Sequence, residues 1–257
     1  MQLYQGNCLD VMPQLPAGSI DAIITDLPYG KTNCPWDAVI PIGPMWAGVG
    51  RVLKPTGVFI TTAVQPFTSI LVASNLKWFR YSWVWHKNRA TDFLNARRRP
   101  LNNVEDILVF APRQPAYYPQ MREGQQHGRG RASPRHNAHY NKSVHQPANL
   151  STLYYPNRVL TFKTVHIPEH PTQKPVELYE YLIRTYTNPG ETVLDIAAGS
   201  GTTGVAARKL ASLIEGGYRI NGVAVRRDQS GLIPKQGFVT DAGLVGWWPE
   251  DKEGNTP

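Results

Sequence analysis

The sequence predicts an α/β fold, a mostly parallel sheet with helices on both faces, interrupted by one irregular basic segment. Three observations carry this. Strand-length apolar runs alternate with helical stretches through residues 1–85. The alternation returns after Pro171, where a strand opens into a glycine-rich loop and a helix. Between them, residues 113–166 lose hydrophobic periodicity and fill with Pro, Gly, Asn, His, Arg and Tyr.

Ile20–Thr25 is the first strand, an apolar run bounded by turn residues. Ile40–Leu53 follows as a helix, with Ile42, Met45, Trp46, Val49, Val52 and Leu53 forming its stripe. Lys54-Pro55-Thr56-Gly57 reads as a turn into a second strand, Gly57–Thr62. Pro66–Leu76 fits a helix, and Tyr81–Trp85 and Asp106–Phe110 fit strands, the latter closed by Ala111-Pro112. Val176–Tyr186 is a helix with Val176, Leu178, Tyr179, Leu182, Ile183 and Tyr186 on one broad face, ended by Asn188-Pro189-Gly190. Thr192–Ile196 is a buried strand and Thr203–Leu210 a helix; beyond about residue 211 the pattern degrades. The expected organisation is a first half at 1–112, a basic insertion at 113–166, a second half at 167–215 and an atypical tail at 216–257.

A chain of 257 residues with 41% hydrophobic residues can bury a full core. No apolar run is long enough to span a bilayer and no signal peptide opens the chain. Two cysteines, Cys8 and Cys34, are too few for a disulfide scaffold or a zinc cluster, so no metal is expected and the expected setting is the cytoplasm. The net charge of +8 is localised. Residues 86–166 hold 13 Lys and Arg against 4 Asp and Glu, a net of +9, which leaves −1 on the rest. An excess confined to one segment favours a polyanion-binding surface, and Lys87, Arg89, Arg97, Arg98, Arg99, Arg129, Arg131 and Arg135 are the candidate contacts. The plainer reading of the same charges is a solvated loop.

Two motifs carry the chemistry. Gly199-Ser200-Gly201-Thr202-Thr203-Gly204 fits G-x-G-x-x-G between a strand and a helix. Glycines there let backbone approach a nucleotide-type ligand, and the helix start offers free N–H groups. NAD is the competing ligand. Against it, Asp195 precedes the first glycine by four residues, and an acid some twenty residues on is badly placed, with Glu215 the nearest. The second motif, Asp26-Leu27-Pro28-Tyr29, ends the first strand. Taken alone it is equally a strand-to-loop turn with a buried tyrosine.

Together these runs resemble the amino-group DNA methyltransferases of the circularly permuted beta class, and most closely the phage and prophage adenine methyltransferases. Further matching runs are Trp36-Asp37, Arg51–Pro55, Gln65-Pro66-Phe67, Arg99-Pro100-Leu101, Glu105–Phe110 and His170 through Gly204. The resemblance implies a Rossmann-like fold in permuted order and transfer of a methyl group from S-adenosylmethionine to an exocyclic amine of a flipped base. It favours adenine N6 over cytosine N4. It implies that Asp195, Ala197, Gly199, Ser200, Gly201, Thr202 and Thr203 line the cofactor, that Thr172 and Lys174 lie near its methionine end, and that Asn7 and Cys8 face its adenine. Residues 86–166 would read the target. The implied partner is double-stranded DNA, with no membrane; a homodimer and a cognate restriction endonuclease are both compatible with the family.

In this chemistry Asp26 and the Leu27 carbonyl would accept the two amine hydrogens, so that the nitrogen lone pair leaves conjugation and meets the methyl group. Pro28 would stiffen the turn, and Tyr29 would offer a face for the extruded base. Cytosine C5 methylation would want a Pro-Cys nucleophile, and the chain has none. Three departures from the family stand out. Leu27 replaces a proline, Ile196-Ala197 replaces Pro-Phe, and no strand ending in an acid follows Leu210. Either Glu215 serves as the ribose-binding acid or the C-terminus is altered, for instance by a reading-frame change. An altered end would leave a DNA-binding but impaired prophage remnant. An RNA or protein-glutamine methyltransferase is a further alternative, and the basic segment argues against the protein substrate.

Overall fold

The computed structural model describes residues 1–32, 34, 37–125, 151–168 and 173–212, together with three short strands further on. Its strands are β1 (Gln2–Gln5), β2 (Ile20–Asp26), β3 (Leu53–Ala63), β4 (Phe79–Thr91), β5 (Asn102–Phe110), β6 (Arg122–Glu123), β7 (Leu153–Tyr154), β8 (Val159–Phe162), β9 (Val193–Asp195), β10 (Val223–Arg226), β11 (Phe238–Val239) and β12 (Val245–Gly246). The helices are α1 (Cys8–Val11), α2 (Ile42–Val52), α3 (Phe67–Ser74), α4 (Val176–Tyr186) and α5 (Thr202–Ser212).

The main sheet has eight strands in the order β1-β10-β9-β2-β3-β5-β4-β8. Every pairing is parallel except those of β5, which runs antiparallel to both β3 and β4. All strands but β5 therefore end on one edge, the edge at which open α/β sheets bind ligands. The tetrapeptide leaves β2 there, and the glycine loop leaves the adjacent β9.

Sheet alternation divides the core between two faces. Ile23, Phe59, Leu108 and Phe110 point to one side, against Met45, Val49 and Val52 of α2 and Phe67 and Leu71 of α3. Ala22, Ile24, Val58, Ile60, Ile107 and Val109 point to the other, against Leu178, Tyr179, Leu182 and Ile183 of α4 and Ala206 and Leu210 of α5. Strands covered on both faces read as continuous apolar runs, which is why the central strands were legible.

Four local features differ from expectation, the first being that β10, within the stretch expected as an atypical tail, joins the main sheet between β9 and β1. Lys54–Gly57 is not a free turn but an irregularity inside β3: Ile20 pairs with Leu53 and Ala22 with Val58, so four residues oppose one. β4 and β5 run well past their apolar cores, to Thr91 and from Asn102, into a long hairpin. Val159–Phe162, within the stretch expected to be irregular, forms β8 at the sheet edge beside β4.

The chain divides into two compact units, one of residues 1–118 with 158–257 and one of Pro119–Asn157. The main sheet belongs to the first. Within the second, β6 and β7 form a two-residue antiparallel ladder. Arg129, Arg131, Arg135, Thr172 and Glu215 lie outside the described residues.

Candidate active site

Asp26 ends β2 at the crest of the sheet, and its carboxylate is the hub of the site. Oδ1 accepts from the Tyr29 hydroxyl at 2.6 Å and from the Thr62 hydroxyl of β3, while Oδ2 meets Lys174 Nζ at 3.0 Å. Lys174 also lies 3.3 Å from Glu105 of β5, and Glu105 is in turn paired with Lys87 of β4. Two cations and two carboxylates thus form one chain, Asp26–Lys174–Glu105–Lys87, of which all but Asp26 is buried. Burial alone would lower the Lys174 pKa, but the charges of Asp26 and Glu105 outweigh it and hold it above the ordinary lysine value.

Tyr29 folds back over this hub. Its hydroxyl also reaches Thr62 Oγ1 at 2.9 Å, its ring lies 5.5 Å from Lys174 Nζ, and Phe67 packs beside it at 5.6 Å. Burial, then the Asp26 and Glu105 charges, push the phenol well above its usual range, so it stays neutral and donates. Leu27 is buried in the α2–α3 core, so the residue that departs from the family pattern has a packing role of its own.

Asp37 fixes the loop that carries Tyr29. Its Oδ1 accepts from the backbone N–H of Tyr29 (2.8 Å) and Gly30 (3.0 Å), and its Oδ2 from those of Lys31 (2.8 Å) and Thr32 (2.7 Å). Burial opposes the charge, yet these amides outweigh it and hold the carboxyl below its usual value.

Asp195 plays the matching part on β9. Thr25 of β2 donates to its Oδ1 at 2.7 Å, the Ala197 N–H to the same oxygen at 3.0 Å, and Thr203 of α5 to its Oδ2. Burial pushes this carboxyl up to about 6 despite the three donors. The loop turns tightly, with the Gly201 N–H on the Ala198 carbonyl at 2.7 Å. Gly199 and Gly201 take φ of 53° and 78°, the left-handed region. A Cβ on Gly201 would meet nothing within 4 Å, so open ground lies over the loop.

The other residues singled out from the sequence are placed as follows. Lys87 is buried against Glu105 and does not present its ammonium at the surface. Cys8 is buried in the core, and the Asn7 side-chain oxygen caps α1 through the Leu9 N–H at 3.1 Å. Lys174 faces the Asp26 carboxylate. The Asp195 side chain is enclosed by its own loop and organises it from beneath. Arg89, Arg97, Arg98 and Arg99 are exposed. Sequence reasoning missed Thr62, named Thr25 only as a strand end, and passed over Glu105 and Asp37 except as parts of matching runs. No local pattern marks them, because their partners lie on other strands or across a loop.

A Rossmann-like sheet with an acidic tetrapeptide and a glycine loop on adjacent strand ends has the layout of a methyltransferase. A family profile described as DNA methylase, covering N6 and N4 enzymes, matches residues 20–215, and the chain belongs to that family. It is 28% identical over 230 residues to the type II methyltransferase M.HpaI of Haemophilus parainfluenzae, covering 81% of this chain and 67% of the relative. It is 29% identical over 217 residues to the putative methylase YubD of Escherichia coli K12, covering 80% and 79%. Among solved structures it resembles the complex of M1.HpyAVI with SAM, with TM-score 0.56, 22% identity and coverage of 89% of this chain and 94% of the other. It also resembles the cytosine-N4-specific PvuII DNA methyltransferase, with TM-score 0.58, 16% identity and coverage of 88% and 81%.

Proposed function

We propose that this DNA methyltransferase moves a methyl group from S-adenosylmethionine to the N6 amine of an adenine flipped out of duplex DNA. The choice of adenine over cytosine N4 rests on the family resemblance alone; the pairing of amine acceptor and cofactor loop rests on one observation, that Thr25, the residue before Asp26, donates directly to Asp195 at 2.7 Å. The tetrapeptide and the glycine loop are thereby tied together on neighbouring strands, with the acceptor for an amine beside the cradle for a cofactor.

The glycine loop fits S-adenosylmethionine, since open ground lies over Gly201 and α5 begins immediately after it. Gly199, Ser200, Gly201 and Thr202 would hold the cofactor, which when bound supplies the methyl group on an electrophilic sulfonium. The chain's own groups do the rest by positioning. The Asp26 carboxylate and the Leu27 carbonyl accept the amine hydrogens, and Lys174 braces Asp26 from its buried side. The Tyr29 hydroxyl holds one Asp26 oxygen. Release of that hydroxyl frees the oxygen for the amine and the ring for stacking on the base.

A second reading has one observation in its favour. β10 stands between β9 and β1, where the family expects its acid-ended strand, and it reads Val223-Ala224-Val225-Arg226. A chain weakened at this point would bind DNA but transfer methyl groups slowly. Incubation with methyl-labelled S-adenosylmethionine and unmethylated plasmid, followed by digestion to nucleosides, separates the readings. Label in N6-methyl-2′-deoxyadenosine is the expected result. Label in N4-methylcytosine would keep the class and overturn the base, and no label from folded, plasmid-bound protein would overturn the enzyme reading.

A further inference from the structure

The β4–β5 hairpin ends in a knuckle that the chemistry above does not use. Asp26, Thr62, Ile107 and Trp83 form one row across β2, β3, β5 and β4. From that row β5 continues away from the core for five residues, Ile107 to Asn102, which is roughly 17 Å of strand at about 3.4 Å per residue. β4 runs parallel to β2, so the hairpin rises from the same edge that carries Asp26. Its tip stands clear of the sheet on the side where a substrate must approach.

The tip is built to hold its shape. Asp92 adopts the left-handed conformation, with φ of 74°. Its carboxylate takes the Asn95 amide at 2.6 Å and the Arg99 guanidinium at 2.6 Å, and its carbonyl accepts the Asn95 N–H at 3.0 Å. The 3₁₀ turn Phe93–Asn95 presents two large apolar side chains side by side, Phe93 at 75% exposure and Leu94 at 85%. Isolated exposed apolar residues are ordinary, but an adjacent pair on a braced tip, followed after Asn95 and Ala96 by Arg97, Arg98 and Arg99, is a pattern. Arginines suit phosphates, and apolar side chains on a rigid projection suit the gap between two unstacked base pairs.

We infer that Phe93 and Leu94 form a wedge that enters a base step of the DNA duplex, held there by Arg97 and Arg98 on the flanking phosphates. The wedge would keep the stack apart while the target base is outside it. This rests on the reading of the substrate as duplex DNA. It goes beyond that reading by giving base extrusion to residues outside the catalytic edge.

The test uses the full chain and relaxed closed-circular plasmid. Plasmid bound by the protein is treated with topoisomerase and its linking number read on a gel; binding is followed by filter retention and methyl transfer by labelled cofactor. The wild-type chain should lower the linking number. F93A/L94A should abolish that shift with plasmid retention within about threefold of wild type, whereas R97A/R98A should lose retention. F93W should keep the shift. Methyl transfer and retention without any change in linking number, or equal unwinding by F93A/L94A, would overturn the wedge and leave the methyltransferase standing. Unwinding that depends on Phe93 and Leu94 but comes with no methyl transfer would uphold the wedge and remove the enzyme. A chain that neither retains nor methylates plasmid would remove both.

Discussion

Asp37 and Asp195 each hold one of the two loops at the sheet crest, by different means. Asp37 gathers four backbone amides of the loop after β2 and is held below the usual carboxylate range. Asp195 lies deep beneath the loop after β9, takes two threonine hydroxyls and one amide, and is pushed up to about 6. At Asp37, which is only partly desolvated, the loop amides and the Thr32 side chain outweigh burial. At Asp195 full burial, helped by the Asp26 charge, outweighs two hydroxyls and one amide. The catalytic loop is therefore anchored by a charge that persists through ordinary pH, and the glycine loop by one that titrates just below neutrality.

The sharpest way to test this division of labour is to break each loop's function alone. D26A should lower methyl transfer by about 10²–10³-fold or more with the affinity for S-adenosylmethionine unchanged. G201V, which forces a branched residue into left-handed backbone, should weaken cofactor binding at least tenfold. Titration calorimetry and labelled transfer read the two effects. If both variants lost cofactor binding together, the loops would not be separable.

Next in size is the brace between the halves. K174A leaves Asp26 and Glu105 without the cation they share and should cost about 3–5 kcal/mol in denaturant unfolding. A loss below about 1 kcal/mol would mean that Lys87 and solvent suffice for Glu105.

The two aspartates themselves should differ in sign. The folded-state value of Asp195 lies above its ordinary 3.8, so the folded protein binds that proton more tightly than the unfolded chain. Its contribution to stability is greatest below about pH 4 and falls as pH rises to about 6, by on the order of 3 kcal/mol, then levels. The Asp37 contribution has the opposite sense, present above about pH 4 and lost as pH falls through its depressed value. Urea unfolding of D195N from pH 4 to pH 7 should lack the decline that wild type shows there. An unchanged profile would put the titrating group elsewhere.

The smallest effect expected is that of Y29F. It removes the 2.6 Å bond to Asp26 but keeps the ring, and should cost about 1 kcal/mol in stability with transfer within about threefold. A loss of transfer on the scale of D26A would move the hydroxyl into the chemistry.

The same two regions show what was legible in the sequence. Both motifs were readable because a glycine loop and an acidic turn each leave a buried apolar strand, and buried strands write themselves as unbroken apolar runs. The wiring between them was not. Lys174 reaches Asp26 and Glu105 across 148 and 69 positions, and only the sheet order brings β2, β5 and the start of α4 together. Lys87 counted as surface charge by composition, whereas its place on β4 turns it toward Glu105. β8 was hidden because four residues at a sheet edge, among Pro, Asn and Arg, carry no period. The long β4–β5 arms were hidden because exposed strand holds polar residues, and Arg89 or Asn102 looks like loop.

Asp26 and the glycine loop together are proposed to methylate an exocyclic amine in DNA. The most direct measurement is modification-sensitive sequencing of unmethylated plasmid after incubation with the protein and S-adenosylmethionine, with D26A as the paired control. Wild type should leave N6-methyladenine at one recurrent sequence, and D26A should leave it at a level at least about 10²-fold lower. Adenine modified equally by D26A, or methylation on cytosine C5, would refute that assignment.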